Sequence, residues 1–162
     1  MAAIKGVQLK SVKTFESRNG YGFSANLYIN NKKVGVVGDE GRGGETDISI
    51  IKKEDRETFY QIVQQYYQEN PADSNASYDF VEELLGLSEM EKIFKNNLKK
   101  GFTALVDLRY TKRQGEDLSA ITEIKVDEVV GLRDISHLNT VLEGDKPVEY
   151  TVYQDLNDFI LQ

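Results

Sequence analysis

The chain has 162 residues, of which 40% are hydrophobic and 29% are charged, and its net charge is −7. This length and balance are typical of one globular domain and argue against disorder of the whole chain. Cysteine is absent from the sequence, which excludes disulfides, thiolate catalysis and cysteine-ligated zinc. The sequence has no apolar run that could cross a bilayer and no signal-peptide pattern, so we expect a cytoplasmic protein.

The charge is spread unevenly along the sequence. Residues 1–36 carry a net charge of +5, and the remaining residues carry −12. A basic end and an acidic body create fields of opposite sign, which bear on partners and solubility rather than on the fold. The pattern therefore indicates two candidate surfaces, although ordinary solvated surfaces would produce the same pattern.

The N-terminal third predicts a three-stranded antiparallel meander. Residues 7–15 form a strand-like stretch, and residues 23–29 alternate in the period-two pattern of a half-buried strand. Residues 30–33 indicate a tight turn into a third strand at 34–37. The glycine-rich stretch 38–44 interrupts that strand, because closely spaced glycines make a regular ladder unfavourable.

Helices are predicted in the middle of the chain. Helical spacing and early acids predict a helix from Lys53 that ends at Pro71. A short helix from Ser77 should end at Gly86, and a capping box at Ser88 should start another helix.

The C-terminal half predicts a β-hairpin from alternating runs at 102–110 and 121–130. A short helix at 134–142 that stops at Gly144, a strand at 148–153 and a helical turn at 156–161 follow. The predicted fold is α+β, with an antiparallel N-terminal β-meander and a C-terminal β-hairpin packed with two or three central helices. We expect one domain, residues 1–162, with a subdivision into 1–70 and 77–162 as the alternative.

The sequence offers little support for catalysis. The single histidine, His137, has no neighbour at a spacing known for nucleophile and base pairs, and we expect it at the surface or at a helix cap. Adjacent acids such as Glu82 and Glu83 point to different sides of an element and do not converge on one site. We expect a non-enzymatic protein, with a carboxylate-dependent or metal-dependent enzyme as the remaining alternative.

The glycine loop is the most distinctive local feature, and it comprises Asp39, Glu40, Gly41, Arg42, Gly43 and Gly44. It lacks the Lys-Ser/Thr of a phosphate loop and the spacing of a dinucleotide fingerprint, and its acids would repel phosphate. Asp39, Glu40, Glu45 and Asp47 offer oxygen ligands suited to calcium, but their spacing is not that of an EF-hand. We expect a bulged turn that reverses a strand, with no metal and no cofactor.

The basic N-terminal sheet is a candidate nucleic-acid surface. Tyrosine rings would stack on bases while lysines and arginine neutralise phosphates, although the net negative charge opposes non-specific binding. The residues of this basic-aromatic set are Lys10, Lys13, Arg18, Tyr21, Tyr28, Lys32 and Lys33.

The acidic body is a candidate surface for a protein partner. Carboxylates arranged on one face would imitate a phosphate track and occupy the basic channel of a nucleic-acid enzyme. The residues of this acidic set are Glu82, Glu83, Glu89, Glu91, Asp117, Glu123, Asp127 and Glu128. Pairing of a second copy at an exposed edge strand would instead give a homo-oligomer.

Three segments carry a resemblance to known proteins: GYGFSANLY at 20–28, KKVG at 32–35 and DEGRGG at 39–44. In these segments the chain resembles a group of uncharacterised small proteins from phages and mobile elements. The resemblance implies a bacterial host cell and a role in binding other machinery. Inhibitors or modulators of bacterial nucleic-acid-processing or defence complexes are one class of protein in that setting.

Overall fold

The computed structural model describes residues 1–18, 20–69, 75–114, 122–145 and 147–162. The chain has an α+β fold, as predicted. It divides into two compact units, residues 1–91 with 159–162, and residues 92–158. The boundary between these units lies within the helix Ala76–Lys99. None of the described helices has the length and apolar character needed to span a membrane.

The first unit contains a six-stranded sheet. In chain order its strands are β1 (Ala3–Ile4), β2 (Val7–Ser17), β3 (Gly20–Ile29), β4 (Lys32–Asp39), β5 (Asp47–Ile50) and β9 (Ile160–Leu161). Their spatial order is β5-β4-β3-β2-β1-β9, and β9 runs parallel to β1. The predicted meander is confirmed as β2-β3-β4. Only the first part of the helical turn predicted at 156–161 forms, as a 3₁₀ turn at Leu156–Phe159. The next two residues belong to β9 and pair with β1.

The turn between β3 and β4 fixes the register of their hairpin. Asn30 and Asn31 both have positive φ, 48° and 66°, and Ile29 pairs with Lys32 across them. This is the two-residue turn with positive φ at both positions that matches the right-handed twist of paired strands. The turn predicted at 30–33 is therefore confirmed.

A β-bulge at Ser11 determines which side chains of β2 share a face. Lys10 pairs with Asn26 and Lys13 with Ser24, so two residues of β2 lie opposite a single residue of β3. Ser11 has φ +56°, which is unusual for a residue other than glycine. Residues three apart in a regular strand point to opposite faces, but the extra residue brings Lys10 and Lys13 to the same face.

Two helices of the first unit supply the other half of its core. They are α1 (Lys53–Glu69) and the N-terminal part of α2 (Ala76–Lys99). The start predicted for α1 is confirmed, whereas its predicted end at Pro71 lies outside the described residues. The buried cluster joins sheet and helices and contains Ile4, Val7, Leu9, Phe23, Ala25, Leu27, Ile29, Val34, Val37, Ile50, Phe59, Val63, Tyr66, Phe80, Val81 and Leu84.

The prediction that Gly86 ends one helix and Ser88 starts another is wrong. Helix α2 continues through both residues, and the Ser88 hydroxyl donates to the carbonyl of Leu84, one turn earlier. A glycine inside a helix costs about 1 kcal/mol relative to alanine. Burial of Phe80 and Phe94 on either side of this point outweighs that cost, because each large apolar side chain contributes about 1.5–3 kcal/mol.

Tyr66 and Tyr67 of α1 interact with acidic residues of α2. Their raised pKa values make the stability of the fold depend on pH in the alkaline range. The Tyr66 hydroxyl donates to Glu83 at 2.6 Å. Burial, followed by the Glu83 and Asp79 charges, raises the pKa of Tyr67 to about 12. Burial and Glu83 also raise the pKa of Tyr66. Both neutral phenols are therefore favoured by folding.

We expect the free energy of unfolding to fall as pH rises from the ordinary tyrosine pKa of 10.0 to about 12. The stabilisation is complete below the unfolded-state pKa and is lost as pH rises through the folded-state value. Urea unfolding across this pH range should show a shallower decline in Tyr67→Phe than in the wild type. An identical pH slope in both proteins would contradict the assignment.

The second unit contains a three-stranded antiparallel sheet of β6 (Ala104–Gln114), β7 (Thr122–Leu132) and β8 (Glu149–Tyr153), in the order β7-β6-β8. The predicted C-terminal hairpin is confirmed as β6-β7. Helix α3 (Leu138–Asp145) follows a 3₁₀ turn at Ile135–His137 and continues through Gly144, where the sequence predicted its end. The cluster beneath α3 contains Ala104, Val106, Leu108 and Leu132, with Tyr110, Val130, Leu138, Val141, Leu142 and Val152 packed against it.

Candidate binding surface on the N-terminal sheet

The side of the sheet turned away from α1 and α2 is called the outer face here. Along β3, Phe23, Ala25 and Leu27 are buried in the core, whereas Ser24 is exposed and Asn26 is half-buried. Strand periodicity therefore places Ser24 and Asn26 on the outer face. Through pairing with β3 and β4, the same face carries Lys10, Lys13, Phe15, Tyr28, Lys33, Val36, Asp47 and Ser49.

One row of residues crosses the outer face from β2 to β5. Lys13 pairs with Ser24, Ser24 with Gly38, and Gly38 with Asp47. The two charged residues end the row, and the two small residues form its middle. Adjacent strands lie about 4.8 Å apart, so the backbone positions of Lys13 and Asp47 are about 14 Å apart.

Bulkier side chains stand on both sides of this row. On one side, Phe15 is 45% exposed, and its ring covers Gly22, where an added Cβ would collide with it. On the other side, Val36 is 48% exposed and occupies the neighbouring row with Asn26.

The result is a trough with a floor of Ser24 and Gly38 and sides of Phe15 and Val36. Its volume is about 510 Å³. That volume lies within the range of about 300–1,000 Å³ found for ligand pockets. The trough is therefore large enough to hold several residues of a peptide.

The glycine loop contributes Asp39 and Glu40 to the lining of the trough and is fixed to the sheet. The Ser17 hydroxyl donates to the carbonyl of Gly41, and the Gly41 N–H donates to the Asp39 carboxylate at 2.6 Å. Gly41 is buried with φ +67°, and an added Cβ would lie 2.8 Å from the backbone nitrogen of Gly22. The loop connects antiparallel strands β4 and β5, which confirms the predicted strand reversal.

The acidic side chains of the glycine loop form contacts within the loop and line the trough. Asp39, Glu40 and Asp47 all line the trough, and Glu40 forms an ion pair with Arg42 at 3.6 Å. Within the described ranges, no group of three or more His, Asp or Glu side chains is arranged to hold a metal ion. One end of the trough is thus acidic, and Lys13 makes the opposite end basic.

Part of the predicted basic-aromatic set shares the outer face. Lys10 lies 4.4 Å from the centroid of the Tyr28 ring, and Lys33 is the cross-strand partner of Tyr28. Lys13 belongs to the same face through its pairing with Ser24. Three cations and one tyrosine therefore converge as the sequence suggested.

The other members of that set do not join them. Tyr21 is seven residues from Tyr28 on one strand, so period-two alternation places the two rings on opposite faces. The Tyr21 hydroxyl donates to Glu16 at 3.2 Å. Lys32 pairs with Asp55 of α1 at 2.7 Å, on the helix side of the sheet. Arg18 is exposed beside the β2-β3 turn.

Within α2, the acidic set does not share one face. Glu82 and Glu89 are exposed on the same side, but Glu83 accepts the Tyr66 hydroxyl. Glu91 is only 5% exposed and accepts the backbone N–H of Ala2 at 2.9 Å. It lies nine residues after Glu82, which is the opposite side of a helix with 3.6 residues per turn. The expectation that Glu91 is a surface carboxylate is wrong.

The remaining acids belong to the second unit. Asp127 and Glu128 are exposed neighbours on β7 and point to opposite faces of that strand. The backbone of Glu123 lies in β7, and Asp117 lies outside the described residues. Arg109 approaches Asp127 at 4.0 Å and Glu149 at 3.3 Å.

The second unit contains a carboxyl with a raised pKa and an exposed histidine. Burial raises the pKa of Asp107, while the neighbouring Arg109 charge opposes that shift. His137 is exposed in its 3₁₀ turn, as predicted, and Asp134 caps that turn by accepting the Ser136 N–H at 2.9 Å.

Sequence reasoning missed the trough, although two signals pointed to it. Gly38 leaves an outer-face position of β4 without a side chain, and Gly22 leaves the space on β3 that the exposed Phe15 ring occupies beside the trough. A missing side chain beside an exposed aromatic leaves a depression in a sheet surface. In comparisons with known proteins, the chain matched no family model, no curated protein and no solved structure.

Proposed function

We propose that this is a non-enzymatic binding protein that holds a segment of a partner protein in the trough of its N-terminal sheet. The observation that carries the proposal is the pair of exposed apolar side chains, Phe15 and Val36, beside a floor of small residues. Exposed apolar groups rimmed by polar residues are typical of interaction sites. Burial of these two side chains by a partner would supply the favourable free energy.

The charges of the trough favour a protein partner over nucleic acid. Its glycine-loop end carries Asp39 and Asp47, which would repel a phosphate backbone crossing the sheet, whereas the third acid, Glu40, is paired with Arg42 at 3.6 Å. The face of the Tyr28 ring is covered by Lys10, which reduces its availability for base stacking. A polypeptide can supply both signs of charge and avoids this repulsion.

The resemblance to phage and mobile-element proteins suggests where to seek the partner. We propose a bacterial nucleic-acid-processing or defence complex, which the protein would inhibit or modulate. The acidic set is not required for this role. The partner would instead meet the outer face of the sheet.

Filling the floor of the trough should abolish partner binding. Ser24 is exposed, so Ser24→Phe would occupy the trough with little effect on the core. We expect at least about a tenfold loss of the retained partner, or about 1.4 kcal/mol, because the added ring would exclude the partner's side chain from the centre of the site, where the strongest contacts of an interface cluster. The measurement is quantitative mass spectrometry of bacterial lysate proteins retained by immobilised wild type and variant.

Gln65→Phe is the matched control, because Gln65 is exposed on α1 and the substitution adds the same ring to the helix side of the sheet. Proteins retained by the wild type and by Gln65→Phe should be lost with Ser24→Phe. Equal retention by all three proteins would rule out the trough as the binding site.

Single-stranded nucleic acid is the second candidate ligand, favoured by the convergence of Lys10, Lys13, Lys33 and Tyr28 on the outer face. A gel shift that weakens steeply with salt and disappears in Lys13→Glu/Lys33→Glu would support it. Lys32 is unsuitable for this test because its ion pair with Asp55 joins β4 to α1. No shift at low salt would eliminate this candidate.

A further inference from the structure

We infer that the trough selects an extended peptide segment by charge, with an acidic side chain beside Lys13 and a basic side chain beside Asp47. This inference rests on the proposed binding function and specifies the partner's chemistry. It follows from three properties of the row Lys13, Ser24, Gly38 and Asp47: its length, its unneutralised ends and its open centre.

The length of the row fits a short extended segment. Its charged ends are about 14 Å apart, as given by three strand spacings. An extended chain advances about 3.3 Å per residue, so residues four apart are separated by about 13 Å. Side chains at i, i+2 and i+4 of such a segment point to one side. An acid and a base four residues apart would therefore reach the two ends together.

The two ends of the row are available for pairing. Lys13 and Asp47 are both exposed, and no ion pair joins either of them to another residue in the part of the chain that the structure describes. Asp39 adds negative charge near Asp47, whereas Glu40 is paired with Arg42 at 3.6 Å. Complementary charges at both ends would fix the direction of the bound segment as well as its register.

The centre of the row calls for an apolar side chain. Ser24 and Gly38 leave space there, and the Phe15 ring and the Val36 side chain line it on either side. The residue at i+2 of the segment would point into this space. The preferred segment therefore has the pattern acid-x-apolar-x-base or, if its chain runs across the trough in the opposite direction, base-x-apolar-x-acid.

Fluorescent peptides of defined sequence test this pattern directly. The probes are blocked peptides with the cores Glu-Thr-Leu-Thr-Lys, Lys-Thr-Leu-Thr-Glu, Glu-Thr-Leu-Thr-Glu and Lys-Thr-Leu-Thr-Lys, each flanked by glycines. Binding is measured by fluorescence anisotropy at low salt. We expect one mixed-charge order to bind at least about tenfold more tightly than either like-charged peptide, because like charges face each other at one end of the like-charged complexes.

Charge reversal of the protein then tests the assignment of each end. Lys13→Glu should weaken the preferred peptide at least about tenfold, and Lys13→Glu/Asp47→Lys should prefer the opposite mixed-charge order. Lys33→Glu is the control, since Lys33 lies on the outer face but does not line the trough. Thermal unfolding of each variant establishes that it is folded.

The outcomes separate the two proposals. Equal binding of all four peptides, or no binding of any, would overturn the charge-selection inference. If Ser24→Phe still abolished retention of the lysate partner, the proposed binding function would stand without the charge-selection inference. Tighter binding of a labelled oligothymidine than of every peptide would overturn both.

Discussion

Phe80→Ala should lower the free energy of unfolding of the first unit by about 3–5 kcal/mol, the usual cost of removing a fully buried phenylalanine. Phe80 has no exposed surface and lies at the centre of an aromatic group. Its ring makes edge contacts with Phe59 at 5.9 Å and with Tyr66 at 5.5 Å between centroids. The alanine variant would lose both contacts and leave a cavity between α1 and α2.

Urea unfolding followed by circular dichroism measures this loss. Tyr60→Ala is the matched control, because Tyr60 is an aromatic residue of the facing helix α1 that is 50% exposed, and its replacement should cost much less. A loss below about 1 kcal/mol for Phe80→Ala would contradict the packing of α2 against α1. Phe80 lies on the helix side of the sheet, so binding by the folded fraction should remain at its wild-type level.

Gly41→Ala should destabilise the protein by about 2–4 kcal/mol and displace the glycine loop. Positive φ at a residue other than glycine costs about 1–3 kcal/mol. The added methyl group would also lie 2.8 Å from the Gly22 nitrogen, a backbone atom that cannot move without disturbing β3. Because Ser17 and Asp39 both bond to Gly41, the acidic end of the trough should shift with it.

Gly44→Ala provides the comparison within the same loop. Nothing lies within 4 Å of an added Cβ at Gly44, so its effect should stay within about 0.5 kcal/mol. Denaturant unfolding of the two variants measures both values. Equal effects would show that the loop is not fixed at Gly41.

Local patterns in the sequence predicted most of the elements but not their continuity. Alternation at 23–29 and the Asn30-Asn31 turn depend on neighbouring residues, and both are confirmed. The continuous α2 could not be predicted from Gly86 and Ser88, because their local preference for a break is opposed by burial of side chains elsewhere on the helix. Tertiary packing therefore determines that α2 is continuous.

The candidate site depended on pairing that the sequence does not display. Lys13 and Asp47 are 34 positions apart and share a row only through the register of four strands and the bulge at Ser11. A serine gives no local sign that its φ will be positive. The separation of Tyr21 from Tyr28, by contrast, follows from period-two alternation and could have been predicted.

Site-specific photo-crosslinking tests the central claim that the trough is the partner-binding surface. A benzophenone side chain would replace Val36 beside the trough or, as the control, Glu57 at an exposed position of α1. After irradiation in bacterial cells, we predict a covalent protein adduct from position 36, none from position 57, and loss of the adduct when Ser24→Phe is added. Adducts of equal yield from both positions, or an adduct at position 36 that survives Ser24→Phe, would contradict the account.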